Sequence, residues 1–254
     1  MGIQQAIRIN SMSLDEWQAR VDLAACYRLI AHFGMDDLIY THISARIPGP
    51  EDHFLLNPFG LLYEEVTASN LVKVDLKGTI IDPVEDEINP AGFIIHSCIH
   101  AARPDIACVI HTHTVAGVGV AAQSDGLLPL SQTALLYRGL IGYHDYEGIA
   151  LNHEEQPRLL ADLGEEKQIL FLRNHGLLTC GRSIPEAFIM MYYIEQACRM
   201  QIAAQAGSGL HLPPKDVQVL AHAQAMTGLG APIGSREFAA LKRRLDRLGA
   251  DYAR

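Results

Sequence analysis

The stretch ACVIHTHTVAG, residues 107–117, places two histidines at the end of an apolar run. Side chains two residues apart on a β-strand point to the same face, so His111 and His113 project together while Thr112 faces the opposite way. Each buried imidazole needs a polar partner, and two protonated imidazoles repel each other. A shared divalent metal ion satisfies both rings, and a hydrogen-bonded structural pair is the alternative that this spacing leaves open.

A catalytic zinc ion takes three protein ligands and keeps one position open, so a third histidine is expected. The chain has 12 histidines, and the third ligand must therefore be selected by its setting. His175 in LFLRNHGLLTC follows a second apolar strand and precedes Gly176, where the chain can turn and bring the imidazole to the end of the sheet. Other histidines have less suitable settings: His96 and His100 share a helix, and His144 and His153 are predicted in polar loops. The predicted ligands are His111, His113 and His175, which would accept zinc or another divalent transition metal.

Helical and strand patterns alternate along most of the chain. SLDEWQARVDLAACYRLIAHFG predicts a helix that Ser13 caps, and IPEAFIMMYYIEQACRMQIAAQ predicts a long helix that Ser183 caps. Further helices are predicted at AGFIIHSCIHAAR and VAGVGVAAQ, and strands at LIYTHISARI, HFLLNPFG, LVKVDLKGTII, CVIHTH and QILFLRNHGLLTC. GLLPLSQTALLYRG is predicted as a loop with one short element. This pattern indicates an α/β fold with helices on both faces of a sheet.

The length indicates one large domain with an appendage. We predict a domain over residues 1–207 and a linker with a helical tail over residues 208–254, because GSGLHLPP has the composition of a linker. The tail has helical periodicity but too few apolar residues for a core of its own. It is expected to pack on the domain or on a neighbouring subunit.

Composition argues for a cytoplasmic protein that binds neither nucleic acid nor membrane. The chain is 49% hydrophobic and 19% charged, with a formal net charge of -9, and such a charge disfavours phosphate-backbone binding. The basic cluster Lys242-Arg243-Arg244 is read as the solvated face of a helix rather than a nucleic-acid patch. Five widely spaced cysteines without a CxxC pair fit a reducing compartment. No secretory signal and no apolar run of about 18 residues are recognisable.

Several separated motifs resemble one known family. HSCIHAARPDIACVIHTHT, GLLPLSQTAL, YHDYEGIA and LFLRNHGLLTCGRSIPEAF occur in the order found in the class II aldolase and adducin family. The details are more similar to adducin head domains and their bacterial relatives than to sugar-phosphate aldolases. The resemblance implies a three-layer α/β/α sandwich with a central, mainly antiparallel sheet. For the enzymes it also implies a homotetramer with zinc near a subunit interface, held at the positions of His111, His113 and His175.

The sequence departs from the aldolases at their proton-transferring carboxylate. The resemblance implies a glutamate 19 residues before the first histidine of HxH, and this chain has Gly92 there. A glycine cannot transfer a proton. The substrate pocket that the resemblance implies is formed here by His42, Asn57, Gly60 and Gly92, with Pro90-Ala91 in place of a Ser-Ser pair. Because most hydroxyl donors for a phosphate are missing, a non-phosphorylated substrate is expected.

Other polar residues could take the role of the missing carboxylate. Tyr146 in YHDYEG lies near the position from which the aldolases supply a tyrosine of a neighbouring subunit, and a half-buried loop tyrosine is the alternative. His100 could lie below the metal or could be a helix histidine bonded to a backbone carbonyl. Glu195 could support a metal-bound histidine, but we favour a paired helix charge.

Two functional hypotheses follow. The first is a zinc-dependent lyase, of aldehyde-lyase, dehydratase or decarboxylase type, acting on a small hydroxy-carbonyl substrate through a metal-stabilised enediolate. The second is a non-catalytic oligomeric module, similar to an adducin head, with a structural metal site. We favour the lyase, because structural zinc sites usually have four protein ligands and this one offers three.

Overall fold

A seven-stranded sheet forms the centre of the protein. The computed structural model describes residues 12–49, 52–82, 86–149, 153–227 and 232–254. Within these ranges the strand order is β3-β2-β1-β4-β7-β6-β5. The strands are β1 His42–Arg46, β2 His53–Leu56, β3 Val72–Asp75, β4 Cys108–Thr112, β5 Ile141–His144, β6 Ile169–Leu172 and β7 Gly176–Gly181. Every neighbouring pair is antiparallel except the parallel pair β5 and β6. The prediction of a mainly antiparallel sheet is confirmed.

Eight α-helices surround this sheet in the described part of the chain. They are α1 Leu14–His32, α2 Pro90–Ala102, α3 Val115–Ala121, α4 Gln132–Leu136, α5 Gln156–Leu163, α6 Ile184–Gln205, α7 Lys215–Met226 and α8 Ser235–Arg247. Ser13 and Ser183 accept hydrogen bonds from backbone N–H groups of the first turns of α1 and α6, as predicted. Among the described helices, none combines the length and apolar character that a membrane span requires.

The two faces of the sheet are buried by different helices. On one face, α1, α3, α6 and α8 share a core with Cys108 and Ile110 of β4. On the other face, α2 and α5 pack on Val109 of the same strand and on β6 and β7. This alternation along β4 follows from the period of two in strand side chains. The predicted three-layer α/β/α sandwich is therefore confirmed.

One short strand, β5, and one short α-helix, α5, were not predicted from the sequence. The prediction that His144 lies in a polar loop is wrong, because His144 is the last residue of β5 and its side chain is buried. Strand β5 has four residues and includes Gly142, where a Cβ atom would lie 2.8 Å from the carbonyl oxygen of Asp162 in α5. A glycine that permits this close packing gives no strand signal in the sequence.

The predicted tail packs on the same chain. Phe238, Leu245 and Tyr252 enter the core beside α1 and α6. The backbone N–H groups of Ala68 and Ser69 donate to the carbonyl oxygens of Tyr252 and Arg254, at 2.8 and 3.0 Å. The C-terminal segment thus covers part of the sandwich, although the domain boundary at residue 207 stays a prediction.

Candidate metal centre and its cavity

The turn between β6 and β7 brings His175 to the end of β4. Asn174 adopts a left-handed conformation with φ 57°, which asparagine tolerates better than most residues. The backbone N–H of His175 donates to the carbonyl oxygen of Leu172 at 3.1 Å and closes the turn. At Gly176 a Cβ atom would lie 2.3 Å from the carbonyl oxygen of Thr112. The sequence Asn-His-Gly therefore allows β7 to run against β4 with the third imidazole beside the first two.

The three predicted ligands lie in one cluster. One ligand atom from each of His111, His113 and His175 lies within 4.8 Å of the others. The Nε2 atoms of His111 and His113 are 2.8 Å apart. The ring of His175 has its centroid 4.7 Å from that of His111 and 5.0 Å from that of His113. The end of strand β4 and the turn between β6 and β7 thus bring three imidazoles to a common point.

The hydrogen bonds of two rings suit metal coordination. The Nδ1 of His111 lies 2.9 Å from the carbonyl oxygen of Leu177, which can only accept, so this nitrogen carries a proton. The Nδ1 of His113 lies 2.9 Å from a carboxylate oxygen of Asp37, which likewise accepts. In the neutral rings both Nε2 atoms then present lone pairs to each other. A cation held between them removes this repulsion, so the donor set fits a divalent metal.

The electrostatic environment favours the unprotonated form of His111 and His175. Burial lowers the pKa of His111 well below its ordinary value, and the neighbouring His175 and His113 lower it further. Burial also lowers the pKa of His175 to about 4, with contributions from His113 and His144. Because only the neutral imidazole coordinates a metal, both rings are ready to bind a metal at neutral pH.

A cavity of about 460 Å³ opens beside the three histidines. Tyr40, Phe59 and Asn89 contribute to its walls, together with Tyr146. The side chain of Tyr146 is half exposed, and its ring centroid lies 6.1 Å from that of His175. No lysine or arginine is found among the described residues that line the cavity. The space can accept a small polar molecule but offers no fixed positive charge to a phosphate group.

Of the four predicted substrate-pocket residues, His42 lines the cavity. Its ring is buried, and neither ring nitrogen has a partner in hydrogen-bond geometry, although the Tyr40 carbonyl lies near enough to favour the protonated form. Burial nevertheless dominates and lowers the pKa of His42 to about 4. Gly92 lies directly behind this ring, where a Cβ atom would be 2.6 Å from Nδ1 of His42.

Asn57 and Gly60 are not among the described residues that line the cavity. The side-chain oxygen of Asn57 accepts from the hydroxyl of Tyr27 at 2.8 Å, and its amide donates to the Pro58 carbonyl at 3.1 Å. Gly60 occupies a turn with φ 97°. These two residues shape the loop that presents Phe59, whereas direct contact with a substrate stays a prediction.

The remaining candidates have partners outside the metal centre. A ring nitrogen of His100 lies 2.8 Å from the Ser44 hydroxyl, in the interface between α2 and the sheet. Glu195 accepts hydrogen bonds from Thr114 and Arg199 at 2.5 and 2.7 Å, so its interpretation as a paired helix charge is confirmed. Asp37 was missed by the sequence analysis, because no local pattern connects it with His113.

Comparison with known proteins now gives the family. The sequence profile described as Class II Aldolase and Adducin N-terminal domain matches residues 21–202. The chain belongs to the class II aldolase and adducin family. Within this family, the crystal structure of an aldolase II superfamily protein from Pseudomonas syringae has 51% sequence identity and a TM-score of 0.93, covering 98% of this chain and 100% of that one.

Two further family members differ in what their names state. L-fuculose 1-phosphate aldolase from Glaciozyma antarctica PI12 has 25% identity and a TM-score of 0.83, with each chain covered completely. Alpha-adducin of Rattus norvegicus is 45% identical over 244 residues, which are 91% of this chain and 33% of the adducin. This chain is thus similar both to a named aldolase and to part of a longer protein named as an adducin.

Proposed function

We propose that this protein is a metal-dependent lyase of the class II aldolase type that acts on a small hydroxy-carbonyl compound. The observation that carries the proposal is the group of three histidines, which would leave a fourth coordination position open towards the cavity. A zinc ion bound there would supply Lewis-acid stabilisation to the enediolate that forms when a carbon–carbon bond is cleaved, or when a proton is removed from carbon before a hydroxyl group leaves.

The protein side chains would orient the metal and move the protons. Leu177 and Asp37 fix the tautomers of His111 and His113, so that both Nε2 atoms carry the lone pairs that would bind the metal. Tyr146 carries a phenolic O–H at the cavity wall and is the proposed proton donor to the leaving group. Because Gly92 has no carboxylate, the reaction would differ in its proton transfer from that of the sugar-phosphate aldolases, and dehydration or decarboxylation is as compatible as aldol cleavage.

The family relatives support two readings of the same site. The named L-fuculose 1-phosphate aldolase supports lyase chemistry. The adducin relative and the glycine at residue 92 support the alternative, a non-catalytic oligomeric module with a structural metal. A homotetramer is proposed for either reading. All five cysteines are free and buried, which supports a cytoplasmic location.

Elemental analysis of the purified protein tests the metal site. We expect about one zinc ion per chain in the wild type and its loss in His111→Ala, because one of three ligands is removed. Circular dichroism controls for folding of the variant. Absence of any transition metal from both proteins after growth with zinc would refute the proposal.

His113→Ala distinguishes a catalytic from a structural metal. If the metal is catalytic, this variant keeps its oligomeric state and loses the binding of hydroxy-carbonyl compounds. If the metal is structural, its removal lowers Tm and dissociates the oligomer. Size-exclusion chromatography with light scattering measures the second outcome, which would support the adducin-like module instead.

A further inference from the structure

His42 is a buried polar side chain whose hydrogen bonds the protein does not satisfy. Its side chain lines the cavity, and both ring nitrogens are without a partner. The exposed fraction of this residue is only 5%. A buried polar group without a partner destabilises the fold, so its presence calls for an explanation such as a catalytic role or an additional bound partner. Because His42 also lines the cavity, a ligand bound there is the candidate for the missing partner.

Gly92 makes the position of the His42 ring possible. A Cβ atom at residue 92 would lie 2.6 to 2.7 Å from three atoms of the ring, which is closer than van der Waals contact permits. Gly92 lies in the first turn of α2, where glycine destabilises a helix relative to alanine. The glycine is therefore explained by the ring that it accommodates. The His42 ring occupies the space that a side chain at residue 92 would need, so a side chain at that position would displace the imidazole.

We propose that His42 is the specificity-determining residue of the cavity and hydrogen-bonds a hydroxyl or carbonyl oxygen of an uncharged substrate. This inference rests on the proposed function. A neutral imidazole offers one N–H donor and one lone pair, which together match a hydroxyl group. The cavity adds no lysine or arginine from its described lining, so the bound end of the substrate is an alcohol or carbonyl rather than a phosphate.

A purely structural role for His42 gives a different expectation. The ring packs against those of His96 and His111, with centroids 4.4 and 5.4 Å away. If packing alone were its role, the ring nitrogens would be dispensable and a phenylalanine would serve equally well. The nitrogens, rather than the shape of the ring, must therefore be tested.

His42→Phe removes both nitrogens and keeps an aromatic ring over Gly92. Because the nitrogens have no protein partners, we expect Tm to stay unchanged or to rise. The matched control is His144→Phe, which replaces another buried histidine whose nitrogens bond Asp162 and Glu155 at 2.8 and 3.1 Å. This control is expected to lower Tm by several degrees.

Binding is measured by NMR titration of the full, zinc-loaded chain with dihydroxyacetone and, separately, with its phosphate monoester. We expect wild type to bind dihydroxyacetone at least as tightly as the ester. We expect His42→Phe to bind it about tenfold more weakly, which corresponds to one lost hydrogen bond, with zinc content unchanged. If the wild type binds the phosphate monoester more tightly than dihydroxyacetone, the assignment of an uncharged substrate is overturned.

Gly92→Ala tests the role of His42 without changing that residue. The added methyl group would displace the ring of His42, so dihydroxyacetone should bind at least about threefold more weakly although no nitrogen is removed. Tm should fall, and it should recover in the double variant His42→Ala with Gly92→Ala, because the smaller side chain frees the shared volume. If His42→Phe does not fold, Gly92→Ala still tests whether His42 contributes to binding.

The outcomes separate this inference from the proposed function. Wild-type affinity for dihydroxyacetone in both His42→Phe and Gly92→Ala would overturn the role of His42 while leaving the lyase proposal intact. A zinc-loaded wild type that binds neither compound would contradict the proposed substrate class, and the role of His42 with it.

Discussion

The position of one proton on each imidazole decides whether the cluster can hold a metal. At His111 the acceptor for Nδ1 is the backbone carbonyl of Leu177, which no substitution removes. At His113 the acceptor is the side chain of Asp37, 76 residues away in sequence. The orientation of His113 therefore depends on one replaceable carboxylate.

Asp37→Ala should lower metal affinity by about 10- to 100-fold, because the partner that orients the His113 ring and fixes its tautomer is lost. Competition between the protein and a chelator of known zinc affinity measures the change. Asp36→Ala is the matched control, since Asp36 is exposed and adjacent in sequence. Equal affinities of the two variants would show that Asp37 does not support the ligand.

These residues also show what sequence can and cannot reveal at this scale. His111 and His113 were predictable because a period of two on a strand puts both rings on one face. His175 was predictable from the glycine that follows it. Asp37 was not, because its role depends on a contact between distant segments. The pairing of His42 with Gly92 likewise depends on helix α2 packing against the start of β1.

At the scale of elements, the junction after β4 is held by a buried carboxylate. Thr114 accepts from the backbone N–H of Gly117 and so caps α3, while its hydroxyl donates to Glu195 of α6. The ligand strand, the helix that follows it and the longest helix are thus joined at one residue.

Thr114→Val should destabilise the protein by roughly 2 kcal/mol, because the helix loses its cap and the buried carboxylate of Glu195 loses a donor. Urea denaturation followed by circular dichroism measures this free energy of unfolding. Thr133→Val is the control, because the Thr133 hydroxyl makes a long, weak contact with the sulfur of Met200, at 3.9 Å, and caps no helix. An equally large decrease in the free energy of unfolding of Thr133→Val would mean that the hydrogen bonds of Thr114 do not specifically stabilise the protein.

The interface between α2 and the sheet predicts a response to acid. Burial lowers the pKa of His100 to about 3 and that of His96 well below its ordinary value. Between about pH 6.5 and pH 3 the unfolded chain binds protons that the native state does not bind, so acidification lowers the free energy of unfolding. Above that range, these residues contribute no pH dependence.

His100→Phe should reduce the slope of unfolding free energy against pH by about 1.4 kcal/mol per pH unit between pH 6 and pH 4. Urea denaturation at several pH values measures the slope, and comparison with wild type cancels the contribution of the other histidines. His211→Gln removes an exposed histidine and should leave the slope unchanged. An unchanged slope in His100→Phe would mean that its ring is already protonated in the native state.

Elements with long, regular patterns were predictable from sequence, whereas short packed ones were not. Helices α1 and α6 combine a serine cap with many apolar positions, so local signals and burial agree. Strand β5 has only four residues, and its alternation is interrupted by Gly142. Its place at the edge of the sheet is determined by pairing with β6, which no local window contains.

At the scale of the whole molecule, the cavity lies beside apolar side chains that this chain alone leaves uncovered. Val115 is 91% exposed and follows the ligand segment directly, and Ile149, on the cavity wall, is 75% exposed. Strongly exposed apolar side chains near a ligand site are candidates for a protein interface. The homotetramer implied by the family resemblance would bury them and would place the cavity near a subunit boundary.

Val115→Asp should therefore dissociate the oligomer, because a carboxylate buried in an apolar interface loses its hydration without gaining a partner. Size-exclusion chromatography with light scattering gives the mass. Leu14→Asp is the matched control: Leu14 is 87% exposed at the start of α1, where an acidic residue suits the helix dipole. If the oligomer is needed to close the cavity, dissociation should also weaken dihydroxyacetone binding while zinc, held by one chain, is retained. An oligomer of unchanged mass in Val115→Asp would exclude this surface from the interface and leave the cavity to a single chain.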